Sequence, residues 1–257
     1  MGESTYPTEP VPRRRRRGVG VVIALVVVVV VLAVGVVVAD VSLRAYAQNR
    51  AASEIAASLP DTVDGDIDVT IDGFSFLQQY LSGTFDRVEL DAPALTVSGV
   101  PVDAHVVATG VPTDLSKTVG TASATLTLSQ DAVNSVVEVP GSATLTLDDQ
   151  AVGYDGTISF LGLSIDYLVT ASVSVTPDSV VLTPQKATLT AGSAVVDASD
   201  ALDAVLDEKI PLCVASYLPQ GVELADLTIE PGQATVVLRA SDLSIDETSL
   251  STLGVCP

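Results

Sequence analysis

Residues that commonly carry enzyme chemistry are scarce in this 257-residue chain, which has one His and two Cys. His105 falls on the polar phase of a predicted strand, which favours a solvent-facing ring over a catalytic base. The sequence contains no Gly-x-Ser-x-Gly nucleophile elbow and no Gly-rich phosphate loop with a following Lys. We therefore predict no catalytic residue and no enzyme activity. A hydrolase that acts through a pair of carboxylates is a third alternative to the two functions considered below. Such sites typically contain aromatic residues that bind sugar, and aromatic residues are few here.

Metal ligands are similarly sparse. Asp61, Asp64, Asp66 and Asp68 loosely resemble a Ca²⁺ loop, but they lack the EF-hand spacing and the closing Glu. A polar turn that leads into a strand with outward-facing Asp residues accounts for the same pattern. One His and two Cys are too few for a Cys/His metal site. We predict no bound metal and no cofactor.

The charge of the chain is divided unevenly along its length. Seven Arg and three acidic residues give residues 1–50 a charge of +4, whereas five basic and 29 acidic residues give the remainder −24. This strongly acidic part of the chain would repel the phosphates of nucleic acid, which argues against nucleic acid as a partner. A hydrophobic content of 47% excludes general disorder.

An uncharged, Val-rich segment of 22 residues spans residues 18–39. About 20 apolar residues in a helix cross the hydrocarbon core of a bilayer. The five Arg at 13–17 precede this segment, and the positive-inside rule then places the N-terminus in the cytoplasm. We predict a basic cytoplasmic tail over 1–17, a signal-anchor transmembrane helix over 18–39 and an extracytoplasmic domain over 40–257. A cleaved signal sequence is the alternative, because small residues such as Ala47 follow the span.

The two thiols, Cys213 and Cys256, belong to this exported part of the chain. Outside the membrane the environment is oxidising, which favours a disulfide. No basic residue next to either Cys in the sequence would lower the pKa of its thiol, so a catalytic thiolate is not favoured. We predict that the two residues pair.

Alternation of polar and apolar residues dominates the chain after residue 65 and is typical of half-buried strands. The chain has 48 Ser and Thr residues, many of them on the polar phase. We predict an α+β fold, mainly antiparallel β, with hydroxyl and carboxylate groups on one sheet face and small aliphatic side chains on the other. Four helices are predicted after the membrane span, over 40–59, 74–81, 130–137 and 200–210. The first of them is predicted to pack on the outer domain through a stripe that includes Val41, Ala45, Ala52 and Ile55. The predicted strands are 66–72, 88–92, 94–97, 100–108, 122–128, 143–147, 157–160, 163–175, 180–182, 187–189, 222–229 and 234–240.

Residues 73–85 hold three of the four Phe residues of the chain. A helix over 74–81 would carry apolar side chains over much of its surface. Such a helix either plugs one end of a sheet-built core or forms an apolar lip over a lipid-sized cavity, and both roles are compatible. The candidate lipid-binding residues are Phe74, Phe76, Leu77, Tyr80, Leu81 and Phe85.

This stretch resembles the signature of the LmeA-like phospholipid-binding family of actinobacterial envelope proteins. The family pattern runs Gly-Phe-Pro-Phe-Leu, then Leu-x-Gly, an aromatic residue and a strand; here Ser75 stands where Pro is usual. Residues 218–222, Leu-Pro-Gln-Gly-Val, resemble a second family element, a Leu-Pro-x-Gly turn into a strand. The resemblance covers about residues 40–245.

The resemblance implies an anchored or exported protein that binds a phospholipid or another acyl-chain lipid at the membrane. It also implies support of cell-envelope lipid or glycolipid assembly or transport, with envelope-assembly proteins as further candidate partners. The implied fold is similar to the TULIP lipid-binding tube, in which a strongly curved antiparallel sheet is wrapped by a few helices around an apolar groove. A structural β-domain that scaffolds the envelope and holds no ligand is the alternative.

Overall fold

The computed structural model describes residues 17–114, 116–136, 144–160, 163–192, 194–197 and 209–256. It divides into two compact units, Met1–Ser42 and Leu43–Pro257. The described part of the first unit is the N-terminal portion of helix α1 (Arg17–Ser58). This helix is long and apolar enough to cross a membrane, a property that it shares with signal sequences near an N-terminus. Its large apolar side chains between Leu25 and Val38 are exposed.

The C-terminal portion of α1, from Leu43 onward, belongs to the second unit. Its less exposed side includes Ala52 and Ile55, as predicted, and also Arg44. The predicted stripe is wrong at its start, because Val41 and Ala45 are exposed. Arg44 lies on the less exposed side because its guanidinium donates a hydrogen bond to the carbonyl of Gly73, at 2.9 Å.

Two antiparallel sheets form the second unit over its described residues. The first has seven strands in the order β1-β3-β4-β5-β13-β12, with β2 on the same edge of β3 as β1. Its strands are β1 (Val63–Asp64), β2 (Asp68–Ile71), β3 (Thr84–Val97), β4 (Val100–Pro112), β5 (Val119–Ser129), β12 (Val222–Glu230) and β13 (Gln233–Leu243).

The second sheet has six strands in the order β10-β9-β8-β7-β6, with β11 on the same edge of β9 as β10. Its strands are β6 (Thr144–Asp148), β7 (Ala151–Phe160), β8 (Leu163–Val175), β9 (Ser179–Ala191), β10 (Ala194–Asp197) and β11 (Ile210–Cys213). Both sheets are open, and all their strand pairs are antiparallel. The predicted class, mainly antiparallel β with few helices after an apolar N-terminal helix, is confirmed.

Two pairs of predicted short strands are single long strands in the structure. The strands predicted at 88–92 and 94–97 form β3, with an irregular register between Ala92 and Leu95. Pro93 lies at this irregularity, where a residue without an N–H group is tolerated in a sheet. The strands predicted at 180–182 and 187–189 form β9, and a register shift opposite Gln185 accommodates the polar residues between them. At each irregularity the alternation of polar and apolar residues is interrupted, so the sequence of one continuous strand resembles that of two short strands.

Short helices connect the strands. α2 (Phe76–Ser82) precedes β3, α3 (Gln130–Val136) follows β5, and α4 (Glu247–Ser251) lies near the C-terminus. Ser129 caps α3 as predicted, since its Oγ accepts a hydrogen bond from the N–H of Ala132 at 3.2 Å. Most of the helix predicted at 200–210 lies outside the described residues. The helix prediction is wrong for its last residue, Ile210, which begins β11 and pairs with Leu182 of β9.

The apolar faces of the two sheets meet in one small cluster. β12 contacts β6, β7 and β8. Leu147 of the second sheet packs there with Ile229 and Ala234 of the first. Half-buried side chains from α3 and the neighbouring strands surround these three, namely Val133, Val152, Val173 and Leu227. The sheets are thus joined at an edge, and their apolar faces continue beyond this contact.

The predicted disulfide between Cys213 and Cys256 is present, with a Cα–Cα distance of 6.1 Å. It connects the end of β11 to the C-terminal tail across 43 residues of sequence. Beside it, the backbone N–H of Gly254 donates to the carbonyl of Leu218, at 2.9 Å. The crosslink and the backbone bonds of Thr252 and Gly254 to residues 218–220 therefore hold the tail together.

Replacing both cysteines by Ser is expected to lower the free energy of unfolding by about 4 kcal/mol, the chain-entropy value for a loop of this length. Urea denaturation monitored by circular dichroism measures the change. The wild-type protein under reducing conditions is the control and should match the double variant. A free energy of unfolding that does not change on substitution or reduction would contradict the prediction.

Candidate functional site

Helix α2 begins two residues later than predicted, so Phe74 precedes it. Ser75 is the N-cap in an extended conformation, and its side chain accepts a hydrogen bond from the N–H of Gln78 at 3.2 Å. Gly83 ends the helix with a φ of 83°, and its N–H donates to the carbonyls of Gln79 and Tyr80. Ser is a favoured N-cap residue because its oxygen satisfies a free N–H of the first turn. Ser75 thus sets the first residue of the helix at the position where the family pattern has Pro.

Three of the six candidate residues form an aromatic stack. Phe76 is 7% exposed and lies between two other rings. Its ring centroid is 6.1 Å from that of Tyr80 and 5.5 Å from that of Phe85, with interplanar angles of 22° and 20°. This stack packs α2 against the first residues of β3. Phe76 and Phe85 therefore contribute to the packing of α2 on β3.

The other side of the segment is exposed and apolar. Phe74 is 98% exposed, Leu81 is 83% exposed and Tyr80 is 58% exposed, while Leu77 is half-buried. We call Phe74, Tyr80 and Leu81 the α2 tip. Large apolar side chains grouped on a surface commonly mark a site of interaction with a partner or a membrane. Five of the six candidates thus belong to the stack around the buried Phe76 or to the exposed tip, which share Tyr80, and Leu77 belongs to neither.

Gln79, which the sequence did not single out, fixes the position of α2. It is buried, and its Nε2 donates to the carbonyl of Asp72 at 2.9 Å while its Oε1 accepts from the N–H of Asp86 at 2.7 Å. Gly73 has a φ of 113°, and a Cβ there would clash with the Gln79 amide. The carbonyl of Gly73 accepts the hydrogen bond from Arg44. A buried amide bonded to the backbone just after β2 and within β3 is visible only once these strands are placed.

Replacing Gln79 by Leu is expected to cost about 2–4 kcal/mol in the free energy of unfolding, because the N–H of Asp86 and the carbonyl of Asp72 lose their bonds. Chemical denaturation measures this change. Gln78→Leu is the matched control, since the side chain of Gln78 is exposed and its replacement should change the free energy little. Similar costs for the two variants would mean that the Gln79 bonds do not hold the segment.

One face of the seven-stranded sheet is a continuous apolar surface. Strand register places Val106, Ala124 and Leu238 side by side across β4, β5 and β13. Most side chains of this face are only half-buried, and among the described residues no large side chain is less than 2% exposed. The remaining members in the central rows are Val69, Val88, Leu90, Ala104, Ala108, Ala122, Leu126, Val236 and Leu224. We call this surface the apolar sheet face.

The opposite face of the same sheet is polar, as predicted. His105 and Asp91 pair across β3 and β4, with Nδ1 and Oδ1 2.6 Å apart and both side chains partly exposed. Thr109 and Thr121 share a hydroxyl hydrogen bond of 2.7 Å on the same face. The predicted solvent-facing position of His105 is confirmed. Within the described residues, no group of three or more His, Cys, Asp or Glu is placed to hold a metal ion.

An open cleft of about 520 Å³ lies on the six-stranded sheet. Its carboxylates are bonded to neighbouring hydroxyls, Asp166 to Thr157 at 2.7 Å and Asp155 to Thr144 at 3.0 Å. A hydrogen bond with Tyr154, together with burial, raises the pKa of Tyr167 above its ordinary value. This lining suits hydroxyl or cationic groups and not an acyl chain. The cleft is lined by Thr146, Asp155, Gly156, Thr157, Asp166, Tyr167, Leu168, Thr188 and Thr190.

Comparison with known proteins gives one family match. A family model described as LmeA-like phospholipid-binding matches residues 38–239, which include α2, the apolar sheet face and the join between the sheets. No curated protein and no solved structure matches the chain.

Proposed function

Because the chain belongs to the LmeA-like phospholipid-binding family, we propose that it binds a phospholipid in its second unit while α1 anchors it in the cell membrane. In this proposal the basic tail is cytoplasmic and residues 40–257 are extracytoplasmic. The bound lipid serves cell-envelope lipid or glycolipid assembly or transport. The family is one of binding proteins, and we propose no enzymatic activity for the chain.

The half-buried state of the apolar sheet face carries this proposal. A protein domain normally packs its large aliphatic side chains into a dense interior. Here Leu126, Val236 and Leu238 stay partly exposed although strand pairing places them at the centre of an apolar surface. An acyl chain laid on this face would remove the exposed area from water, at about 25 cal/mol per Å². This partly exposed apolar area supports an apolar ligand on the face.

The charge of the second unit shapes how a lipid reaches this face. Residues 51–257, which make up most of the second unit, carry a formal charge of −24, which repels anionic headgroups over distances of about a Debye length. Affinity therefore comes from the acyl chains, with the headgroup left near solvent. We place the acyl chains against the apolar sheet face and the aromatic residues around α2, with Phe74, Phe76, Leu77, Tyr80, Leu81 and Phe85 as the candidate contacts.

Native mass spectrometry of the full-length protein, released from nanodiscs of mixed phospholipids, tests the proposal. We expect a population with one or two phospholipids bound that survives detergent exchange and collisional removal of loosely attached lipid. The protein unfolded in acid before release is the control for nonspecific adducts. If no phospholipid is retained under any exchange condition, the lipid-binding proposal is wrong and a ligand-free structural domain is favoured.

A further inference from the structure

The α2 tip is not needed to fill the core. Phe74 and Leu81 are almost fully exposed, whereas the stacking of Phe76 on Phe85 and the bonds of Gln79 hold α2 in place. A tip composed of Phe, Leu and a half-exposed Tyr matches the side chains that insert at a membrane surface, with Phe and Leu toward the acyl chains and Tyr at the headgroups. The composition therefore fits a lipid surface as the partner.

The residue before the tip is bonded to the first turn of the second unit. Arg44 donates to the carbonyl of Gly73, the residue immediately before Phe74. In the sequence Arg44 follows Ala39, the last residue of the predicted span, by five residues. The base of the tip is therefore held by a residue that lies shortly after the predicted span in the sequence.

The charges near the tip remain acidic in sum. Arg87 in β3 lies 3.5 Å from Asp72 and forms a second, closer ion pair with Glu89, so one cation faces two carboxylates. Asp86, directly after Phe85, is exposed as well. Insertion of the tip into a bilayer is therefore driven by its apolar side chains.

We propose that the α2 tip inserts into the outer leaflet of the same membrane that α1 crosses. In this proposal the lipid-binding unit takes phospholipid from that membrane past Phe74, Tyr80 and Leu81. The inference deepens the proposed function and rests on its membrane anchor. It names the occupant of the exposed tip as a phospholipid bilayer.

The chain has no Trp, so one introduced indole gives an unambiguous fluorescence signal. The Phe74→Trp variant of the full-length protein is reconstituted in phosphatidylcholine nanodiscs that contain a nitroxide-labelled phosphatidylcholine. We expect the indole at position 74 to lose most of its emission to the nitroxide, to shift its emission to shorter wavelength and to resist quenching by iodide. Because Phe74 is 98% exposed, the substitution disturbs no packed contact.

Tyr217→Trp is the matched control. Tyr217 is 81% exposed and lies in the 3₁₀ turn Ala215–Tyr217 beside β12, at the opposite edge of the seven-stranded sheet from β2. We expect the emission of the control to be lost to iodide and retained with the nitroxide lipid. Equal nitroxide quenching of the two variants, or iodide quenching of Phe74→Trp as strong as that of Tyr217→Trp, would overturn the docking proposal.

Two further measurements separate docking from lipid held inside the protein. The Phe74→Trp variant in detergent with a few equivalents of nitroxide lipid reports on bound lipid alone, and quenching as strong as in the nanodisc would overturn docking. Native mass spectrometry of the same preparation reports on lipid binding itself. Retained phospholipid with an unquenched indole at position 74 means that docking fails and the proposed function stands. A quenched indole without retained phospholipid means that the tip docks on the membrane and that the proposed lipid-binding function fails.

Discussion

Replacing Phe74 and Leu81 together by Asp is expected to slow phospholipid uptake from bilayers by at least about tenfold. Each exposed apolar side chain contributes about 1.5–3 kcal/mol when it leaves water, and about 1.4 kcal/mol corresponds to a factor of ten. The free energy of unfolding should change little, because surface substitutions usually stay within about 0.5 kcal/mol. Transfer of a fluorescent phospholipid from donor vesicles to the reconstituted protein measures uptake, and chemical denaturation measures stability.

The double variant Tyr217→Asp/Val255→Asp is the matched control for this prediction. Both side chains are more than four-fifths exposed, at 81% and 86%, and they lie in the C-terminal part of the chain. It introduces the same two negative charges without touching the α2 tip. An equal loss of uptake in the control would show that added charge, and not the tip, limits transfer. Unchanged uptake in the Phe74→Asp/Leu81→Asp variant would show that lipid enters elsewhere.

Replacing Ala124 by Phe is expected to reduce the amount of bound phospholipid several-fold and to leave the fold as stable as before. Ala124 is half-buried on the apolar sheet face, where it neighbours Val106 and Leu238. If that face lines a groove, the introduced ring occupies volume that an acyl chain would fill, so less lipid binds. Stability is kept, because aromatic residues are favourable in strands. If the face is instead a filled core, overpacking should cost about 1–3 kcal/mol.

The two interpretations of the apolar sheet face therefore predict opposite changes in stability for Ala124→Phe. Native mass spectrometry gives the bound lipid, and urea denaturation gives the free energy of unfolding. Ser123→Phe is the control, because its side chain lies on the polar face, opposite Val107 and Arg239. The control should keep its lipid. A destabilised Ala124→Phe protein with full lipid occupancy would contradict the groove.

The aromatic segment shows where sequence reasoning was limited. It identified residues 73–85 and the helix within them, because Phe is rare in this chain and the apolar spacing is dense. It grouped Phe74 with Phe76, although the first is exposed and the second is buried. A seven-residue helix with apolar residues on most sides does not reveal which side packs. That side depends on β3 and on the residue after β2, Asp72, to both of which Gln79 is bonded.

Features that depend on local backbone geometry were determined by the sequence alone. Alternation along each strand sets the polar and apolar faces, and an uncharged run of 22 residues sets a membrane-length helix. Only two Cys residues, in a region predicted to be exported, indicated the disulfide between Cys213 and Cys256. The faces and the helix follow from residues that are close in sequence. The disulfide follows from the number of Cys residues, because two of them allow only one pairing.

The tertiary structure alone decided how these elements are arranged. It joined the apolar faces of two sheets at Leu147, Ile229 and Ala234, and it tied the turn before Phe74 to Arg44, 29 residues earlier. Such contacts bring together residues that are distant in sequence, and many strand orders are compatible with one alternating pattern. The partial exposure of the apolar sheet face is likewise a property of packing, since a filled core and a lined groove use the same residue types.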